Sequence, residues 1–255
     1  VAGSDWRVDA ILPAGGRIDR ELAALVGTDE KALIRWEGSE TLAERTVRIL
    51  RATPGINRIA VGGSVAVAEA LGDRIDAHGL RGETAPRTLA NAIAALENPT
   101  EKILVVTTDL PFLTADVLSG FLRTCRADVD VNVPIVRAEA YEERFPGTTN
   151  TYIPLKGGRW TAGGAFLLDR DAFLRSLPEL DAMFHARKSK WAMARLLGPV
   201  TLGKFVTKSL TVDEVEATIR RILGATGRAI PGSAPELAFD IDDLDDYRAA
   251  LKFRS

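Results

Sequence analysis

Apolar residues along the chain form short continuous runs separated by segments with helical spacing. Four runs rich in β-branched residues predict strands at 8–14, 58–63, 102–108 and 129–136. Continuous hydrophobicity, without a polar residue at every second position, is typical of strands that are covered on both faces. The pattern therefore predicts the central strands of a mostly parallel sheet.

Three segments between these runs have the spacing of amphipathic helices. Apolar side chains recur three and four positions apart in 39–53, 86–96 and 114–125, and Thr114 is a candidate N-cap for the third segment. The alternation of strands and helices predicts an α/β fold with an open, doubly wound sheet. The positions predicted to face the core are Leu42, Thr46, Ile49 and Leu50 in the first helix, Leu89, Ile93 and Leu96 in the second, and Val117, Leu118, Phe121 and Leu122 in the third.

The pattern becomes less regular after residue 137. Two strands around the turn "KGGR" and a third strand at 165–168 are predicted, and residues 170–230 are mostly helical in character. We interpret 185–232 as a helical excursion, after which the chain returns to the main domain. The predicted organisation is a single domain over 1–255, with its core at 7–180 and 233–255.

The composition is that of an ordinary soluble globular protein, with 46% apolar and 27% charged residues. A net charge of −2, from 33 basic and 35 acidic residues, argues against a dedicated nucleic-acid-binding protein, which would carry a basic surplus. No apolar run approaches the ~20 residues that span a bilayer. One cysteine, Cys125, excludes an internal disulfide framework. We expect a cytoplasmic protein that binds neither membranes nor nucleic acid.

Ligands of doubly wound sheets bind at the carboxyl ends of the strands, and a glycine pair follows the first predicted strand. Gly15 and Gly16 can take positive φ and bring backbone N–H groups close to an anion. Arg17, Arg20 and Lys31 can add positive charge around a polyphosphate. Alternatively, the glycines only end the strand and the basic residues are solvated; the loop is not a Walker A motif.

A single carboxylate, Asp109, follows the apolar strand in "VTTDLPFL". At the binding edge of a sheet it can ligate Mg²⁺ that arrives with a nucleotide. The alternative is an Asx-turn that leads into the next helix, a role that Asp-x-Pro often has. The position after a strand favours the functional interpretation.

Five aspartates lie close together in "FDIDDLDDY" near the end of the chain. Asp243, Asp245 and Asp246 are expected to cap or open the last helix. Asp240 and Asp242 alternate along a predicted short strand and therefore point the same way. Either one can supply a second metal carboxylate, unless the whole cluster serves to cap the helix.

These three segments, in this order, resemble the MobA-like NTP transferases, which are nucleotidyltransferases of the GT-A type and include molybdenum cofactor guanylyl- and cytidylyltransferases. The resemblance rests on "LPAGGRIDR…GTDEKAL", "TTDLPFL" and "FDIDDLDDY", and covers about 8–125 and the last twenty residues. It implies a Rossmann-like GT-A fold. It also implies Mg²⁺-dependent transfer of a nucleoside monophosphate from an NTP to a small phosphorylated acceptor, with release of pyrophosphate.

The resemblance also implies roles for individual residues. Lys31 would neutralise the α-phosphate, Arg17 and Arg20 would flank the pyrophosphate, and Asp109 and Asp242 would hold Mg²⁺. The implied nucleotide-binding residues are Leu12, Pro13, Ala14, Gly15, Gly16, Gly82, Arg87 and Asn91. The family reads its base around Gly82 and the start of the helix at Thr88, where Arg87 and Asn91 can face the nucleotide; alternatively, this helix serves only core packing.

On the acceptor side, "TAGGAFLLD" resembles the glycine-bearing strand with which related enzymes approach the acceptor, so Gly163 and Gly164 are candidates. Glycine in a strand otherwise marks a bulge or close packing. Arg187, Lys188 and Lys190 can clamp a phosphorylated acceptor or form the solvated face of a helix.

Departures from the family pattern leave other functions open. The loop before Lys31 is longer than usual, Glu30 precedes the lysine, and Asp243 and Leu244 replace Thr-Pro in the closing motif. A glycosyltransferase that uses a nucleotide sugar shares the fold, but usually has a true D-x-D. A regulatory module that binds nucleotide without turnover is a second alternative, and a dinucleotide oxidoreductase is disfavoured by the missing G-x-G-x-x-G. The base, the acceptor and the oligomeric state stay open, with a homodimer among the alternatives.

Overall fold

A computed structural model describes residues 6–186, 189 and 195–254. Within them, nine strands form one mixed sheet and two short strands form a separate hairpin. The strands are β1 Val8–Pro13, β2 Arg35–Glu37, β3 Glu40–Thr41, β4 Ile56–Gly63, β5 Ala77–Leu80, β6 Lys102–Val106, β7 Val131–Arg137, β8 Ile153–Leu155, β9 Gly158–Ala162, β10 Ala165–Asp169 and β11 Gly227–Pro231.

The main sheet has the order β5-β4-β1-β6-β10-β7-β9-β8, and β11 pairs with β7. Strands β5, β4, β1 and β6 are parallel neighbours. Strand β10 lies antiparallel between β6 and β7, so β7 points the same way as β1. Strands β1, β4, β6 and β7 therefore end at one edge of the sheet, which we call the carboxyl edge.

Helices cover both faces of the sheet, as continuous apolar strands require. The helices are α1 Arg20–Val26, α2 Leu42–Ala52, α3 Val65–Leu71, α4 Ala85–Ala94, α5 Ala115–Thr124, α6 Ala138–Arg144, α7 Arg170–Arg175, α8 Leu177–Ala186, α9 Pro199–Val206, α10 Val212–Leu223 and α11 Leu244–Phe253. One face of the sheet packs against α2, α3 and α5, and the other packs against α4, α7 and α8.

The predicted α/β fold is confirmed, and so are the four predicted strands and three predicted helices of its first half. Thr114 caps α5 through its side chain, which accepts from the Val117 backbone N–H. The strands around "KGGR" are β8 and β9, and the strand predicted at 165–168 is β10. The predicted core positions of the three helices are buried, with Val117 partly buried.

The described residues of the predicted helical excursion 185–232 are mostly helical, but β11 also lies within it and pairs in parallel with β7. The prediction of a short strand at 240–242 is wrong. Residues 240–242 form no strand; Ile241 donates one backbone hydrogen bond to the Asp109 carbonyl at 3.1 Å and joins no ladder. Helices α1, α3 and α6 and strand β5 were not predicted from the sequence.

Among the described residues, no helix combines the length and the apolar character that a membrane span requires.

Candidate functional site

The long opening loop brings its two ends together. The Lys31 backbone N–H donates to the Gly16 carbonyl at 3.1 Å, and Ile18 N–H donates to the Asp29 carbonyl at 3.1 Å. Between these bonds the chain forms α1, which is capped by the Asp19 side chain at its start and ends at a left-handed Gly27. The extra residues therefore form a closed excursion that keeps the glycine pair beside Lys31.

The predicted conformation of the glycine pair is not observed. Neither Gly15 nor Gly16 has a positive φ. Instead, basic side chains lie beside both positions: a Cβ added at Gly15 would lie 3.1 Å from Arg81 Cγ, a tight contact, and one at Gly16 would lie 3.6 Å from Lys31 Cβ, an ordinary contact. Gly15 therefore leaves room for the Arg81 side chain at the end of β1.

Arg17 helps to close the excursion. It forms ion pairs with Asp29 and with Glu30, the latter at 3.6 Å between Nη2 and Oε1. Glu30 in turn accepts a hydrogen bond from Ser64 Oγ at 2.6 Å. Arg20 is exposed at the first turn of α1, and in the described part of the chain it bonds to no other predicted site residue. Of the two arginines predicted to flank the pyrophosphate, Arg17 is therefore paired with carboxylates of the loop, whereas Arg20 is exposed.

Lys31, Asp109 and Asp242 meet at the carboxyl edge. Lys31 is only 9% exposed; its Nζ lies 3.0 Å from Asp109 Oδ2 and also donates to Asp242 Oδ1. Burial disfavours the charged ammonium, but the negative charges of Asp109 and Asp242 outweigh burial and raise the pKa of Lys31. Lys31 is therefore a fixed positive charge, and it joins two other predicted site residues, Asp109 and Asp242.

An aromatic cluster positions the two acidic segments. Phe112, three residues after Asp109, lies 5.0 Å from the ring of Phe239 between centroids, and Phe239 immediately precedes Asp240. Phe145 packs against both rings, at 5.0 Å and 4.8 Å. Such edge and tilted ring contacts stabilise buried aromatic clusters. Together with the bond from Ile241 N–H to the Asp109 carbonyl, they fix the carboxylates relative to one another.

Asp240 completes a set of three carboxylates. Asp109, Asp240 and Asp242 each offer one oxygen, and these oxygens lie within 4.8 Å of one another. Burial and the negative charges of Asp109 and Asp242 raise the pKa of Asp240 to about 7. Reasoning from the residues had left the choice between Asp240 and Asp242 open, and the structure brings both to the site.

The three carboxylates fit a divalent cation. Asp109 Oδ1 is buried and has no hydrogen-bond partner among the described residues, so its lone pairs are available to a donor or a cation. Three carboxylates face one ammonium, which leaves an excess of negative charge. Carboxylate oxygens are the ligands that Mg²⁺ and Mn²⁺ prefer. The Asp242 side chain is 67% exposed, so the set is open to a ligand.

The predicted base-side residues hold α4 in place. Arg87 Nε donates to the Asp181 carboxylate of α8, and Asn91 donates to the Leu80 carbonyl of β5 at 2.8 Å. Gly82 N–H donates to Thr88 Oγ1 at 3.0 Å. These bonds give Arg87 and Asn91 structural partners at the carboxyl edge.

Arg81 is a functional candidate that the sequence analysis missed. It directly follows β5, is exposed, and passes over Gly15. No carboxylate pairs with it within 6–186, 189 and 195–254. The available signal was its position: a basic residue immediately after the carboxyl end of a strand.

The remaining predicted residues lie in or beside the core, at close packing contacts, or outside the described residues. Leu12 and Ala14 are buried in the core, so only their backbone is open to contact, and Pro13 is half-buried at the end of β1. Gly163 and Gly164 allow close packing, since added Cβ atoms would lie 2.7 Å from the Leu237 carbonyl and 2.4 Å from Thr107 Oγ1. Arg187, Lys188 and Lys190 lie outside the described residues.

The chain is similar to known proteins in sequence and in fold. The MobA-like NTP transferase domain family matches residues 10–200 of the chain. A hypothetical transferase from Thermus thermophilus is 32% identical, with a TM-score of 0.83 over 94% of this chain and 99% of its own. No curated protein matches the chain.

Two further solved structures share the fold at lower identity. The 2-C-methyl-D-erythritol 4-phosphate cytidylyltransferase from Thermus thermophilus is 17% identical, with a TM-score of 0.54 over 97% of this chain and 100% of its own. The manganese complex of Rv0371C from Mycobacterium tuberculosis is 17% identical, with a TM-score of 0.51 over 96% of this chain and 98% of its own. These two likenesses concern the fold alone.

Proposed function

Because the chain belongs to the MobA-like NTP transferase family, we propose that it transfers a nucleoside monophosphate from an NTP to a phosphorylated acceptor, with Mg²⁺ as cofactor. The family assignment makes it a nucleotidyltransferase. The observation that carries the proposal is the buried Lys31 ammonium beside Asp109 and Asp242 at the carboxyl edge. A molybdenum-cofactor-type phosphate is one acceptor within this class.

The transfer needs little covalent chemistry from the protein. An acceptor phosphate oxygen forms a bond to the α-phosphorus, and the bond from that phosphorus to the bridging oxygen of the β-phosphate breaks. Pyrophosphate leaves with the electron pair. The acceptor oxygen is already anionic, so no general base is required. Positioning and charge neutralisation must therefore supply the catalysis.

The residues of the carboxyl edge can divide this work. Lys31 is held in a fixed position by Asp109 and Asp242 and would offset negative charge that grows at the α-phosphate. Arg81, which passes over Gly15, would contact phosphates at the end of β1. Asp109, Asp240 and Asp242 would hold Mg²⁺, which supplies charge neutralisation of phosphate oxygens when bound.

A thermal-shift screen tests the proposal. CTP, GTP, UTP and ATP are added with and without Mg²⁺ to the unaltered chain, to Asp109→Asn and to Asp73→Asn. Asp73 is an exposed control carboxylate in a short turn after α3. A ligand that binds only the folded form at ~100 times its Kd stabilises it by about 2.7 kcal/mol.

We expect one nucleotide to raise the Tm only when Mg²⁺ is present. Asp109→Asn should abolish this rise and Asp73→Asn should keep it, and pyrophosphate release with phosphorylated acceptors is then measured. The proposal is wrong if no nucleotide raises the Tm, or if Asp109→Asn responds as the unaltered chain does.

A further inference from the structure

A deep apolar trough lies on the sheet face that α4 and α8 cover. Its volume is about 550 Å³, within the range of roughly 300–1,000 Å³ that small-molecule sites occupy. The space between a covered sheet face and its helices is normally filled by packed side chains. Here, however, several residues of β7 are only partly buried. The floor and walls include Val131, Val133, Ile135, Phe166, Leu180 and Ile219.

The trough begins at the candidate site. Pro13, which ends β1 just before the glycine pair, and Thr107, two residues before Asp109, both line it. From there it follows β7 from Ile135 to Val131, away from the carboxyl edge. At about 3.3 Å per residue, this part of the trough is roughly 13 Å long. A ligand with its phosphate near Asp109 can therefore extend into the trough.

Several polar side chains inside the trough already have partners. Thr161 Oγ1 donates to Asn150 Oδ1 at 2.9 Å, and Ser176 Oγ donates to the Leu223 carbonyl at 2.8 Å. Arg228 lies 3.6 Å from Glu216. A ligand body in the trough would find apolar walls and few free hydrogen-bonding groups.

The upper end of the trough differs from its body. Trp160 Nε1 is buried and has no hydrogen-bond partner in the described part of the chain. The Arg137 guanidinium lies 4.6 Å from the centroid of the Trp160 ring, at the end of β7 on the carboxyl edge. This end of the trough therefore has an unpaired donor on Trp160, with the Arg137 guanidinium against the Trp160 ring, and an apolar surface below them.

We propose that this trough binds the acceptor, and that the acceptor is a phosphate monoester with an apolar body, of the alkyl or prenyl phosphate class. The inference rests on the proposed function. Its reaction is the attack of the monoester oxygen on the NTP α-phosphorus; the α–β phosphoanhydride bond breaks, and a nucleoside diphosphate ester and pyrophosphate are formed. The head group stays at the carboxyl edge while the body fills the trough.

Binding of n-alkyl phosphates of graded length tests the inference. Butyl, hexyl and octyl phosphate are titrated calorimetrically into the full chain without nucleotide. A buried methylene contributes about 0.8 kcal/mol, or roughly fourfold in affinity, so octyl phosphate should bind roughly two hundredfold more tightly than butyl phosphate. Ala162→Trp should remove this dependence because the exposed Ala162 lines the trough. The matched control is Ala52→Trp, at the exposed end of α2.

The outcomes separate the inference from the proposed function. Affinity that does not change with chain length overturns the inference, even when nucleotide and Mg²⁺ bind as proposed. Unchanged chain-length dependence in Ala162→Trp also overturns it. If the affinity of the unaltered chain does not change with alkyl chain length and Ala162→Trp dissociates an oligomer, the trough is an interface between copies. Absence of any nucleotide-dependent Tm shift contradicts the proposed function itself. The series on the unaltered chain tests the inference independently of both variants.

Discussion

A buried lysine is stable in its charged form only when carboxylates compensate for lost hydration. Lys31 meets this condition through Asp109 and Asp242, which outweigh burial and raise its pKa. The bonds also hold the ammonium in one place. One of them joins residues 211 positions apart in the chain, Lys31 and Asp242. A charge that is oriented before the ligand arrives requires little reorganisation during the reaction.

Replacement of Lys31 by methionine should remove this charge and keep most of the side-chain stem. We expect pyrophosphate release to fall roughly 10²–10³-fold, the range for loss of one charge-stabilising group in an active site. Lys252→Met, on the exposed surface of α11, should leave the rate unchanged. Steady-state pyrophosphate assays compare the three proteins, and an equal rate for Lys31→Met would remove the lysine from the catalytic account.

Individual site residues differed in how far the sequence could predict them. Asp109 follows the end of β6, and Lys31 belongs to the glycine-containing opening motif; the structure brings both together with Asp242. The placement of Asp240 beside Asp109 depends on the packing of Phe112 against Phe239. This is a contact between distant segments, which no local pattern encodes. Leu12 was included by resemblance, but its side chain belongs to the core.

Helix α4 lies unusually close to the sheet, because glycines face it. A Cβ added at Gly62 would lie 2.5 Å from the Thr88 carbonyl oxygen, and one at Gly79 would lie 2.4 Å from the Asn91 carbonyl oxygen. Real Cβ atoms require more room, so the helix backbone would have to move. This close contact sets the distance between β5 and the base-side residues of α4.

Gly79→Ala should therefore destabilise the protein by about 1–3 kcal/mol, the usual cost of overpacking. Gly203→Ala is the matched control, since an added Cβ there meets nothing within 4 Å and Gly203 lies inside α9. It should stabilise the protein by about 0.5–1 kcal/mol through helix propensity. Urea denaturation of both variants measures the two signs, and equal effects would contradict this packing argument.

Strands and helices were predictable where the pattern of apolar residues is long and regular. The runs of β1, β4, β6 and β7 and the spacing of α2, α4 and α5 sufficed. Strand β11 was missed because Gly227–Pro231 is short and contains glycine and proline. The predicted strand at 240–242 failed for another reason: Asp240 and Asp242 reach the same site without a pairing strand.

At the scale of the whole molecule, the two ends of the parallel strands differ in function. The carboxyl edge carries the candidate site, whereas Asp9 at the start of β1 is fully buried at the opposite edge. Asp9 accepts hydrogen bonds from Arg58 Nη2 at 2.6 Å, Asn57 Nδ2 at 2.9 Å and the Thr100 backbone N–H at 3.0 Å. This network joins β1, β4 and the segment before β6.

The Asp9 network predicts part of the acid sensitivity of the fold. Burial alone would raise the pKa of Asp9, but the bonds from Arg58, Thr100 and Asn57 lower it below its ordinary value of 3.8. A carboxyl whose pKa is lower in the folded state stabilises the fold above its unfolded pKa, and this stabilisation disappears as the pH falls through the folded value.

Asp9→Asn should cost about 2 kcal/mol at pH 7, the typical value of a hydrogen bond to a charged group. The difference from the unaltered chain should shrink as the pH falls below the ordinary value of 3.8 and then through the lower pKa of folded Asp9. Urea denaturation at pH 7 and at pH 3 checks both statements, with Asp73→Asn as the exposed control. A difference that grows on acidification would contradict the sign argued here.

The central claim is that the carboxylates of the carboxyl edge hold a divalent cation together with an NTP. Equilibrium dialysis against Mn²⁺ and the nucleotide selected by thermal shift measures this most directly. The unaltered chain and Asp73→Asn should retain more Mn²⁺ with nucleotide than without it, and Asp109→Asn should lose this gain. Equal retention of Mn²⁺ by Asp109→Asn and the unaltered chain would contradict the claim.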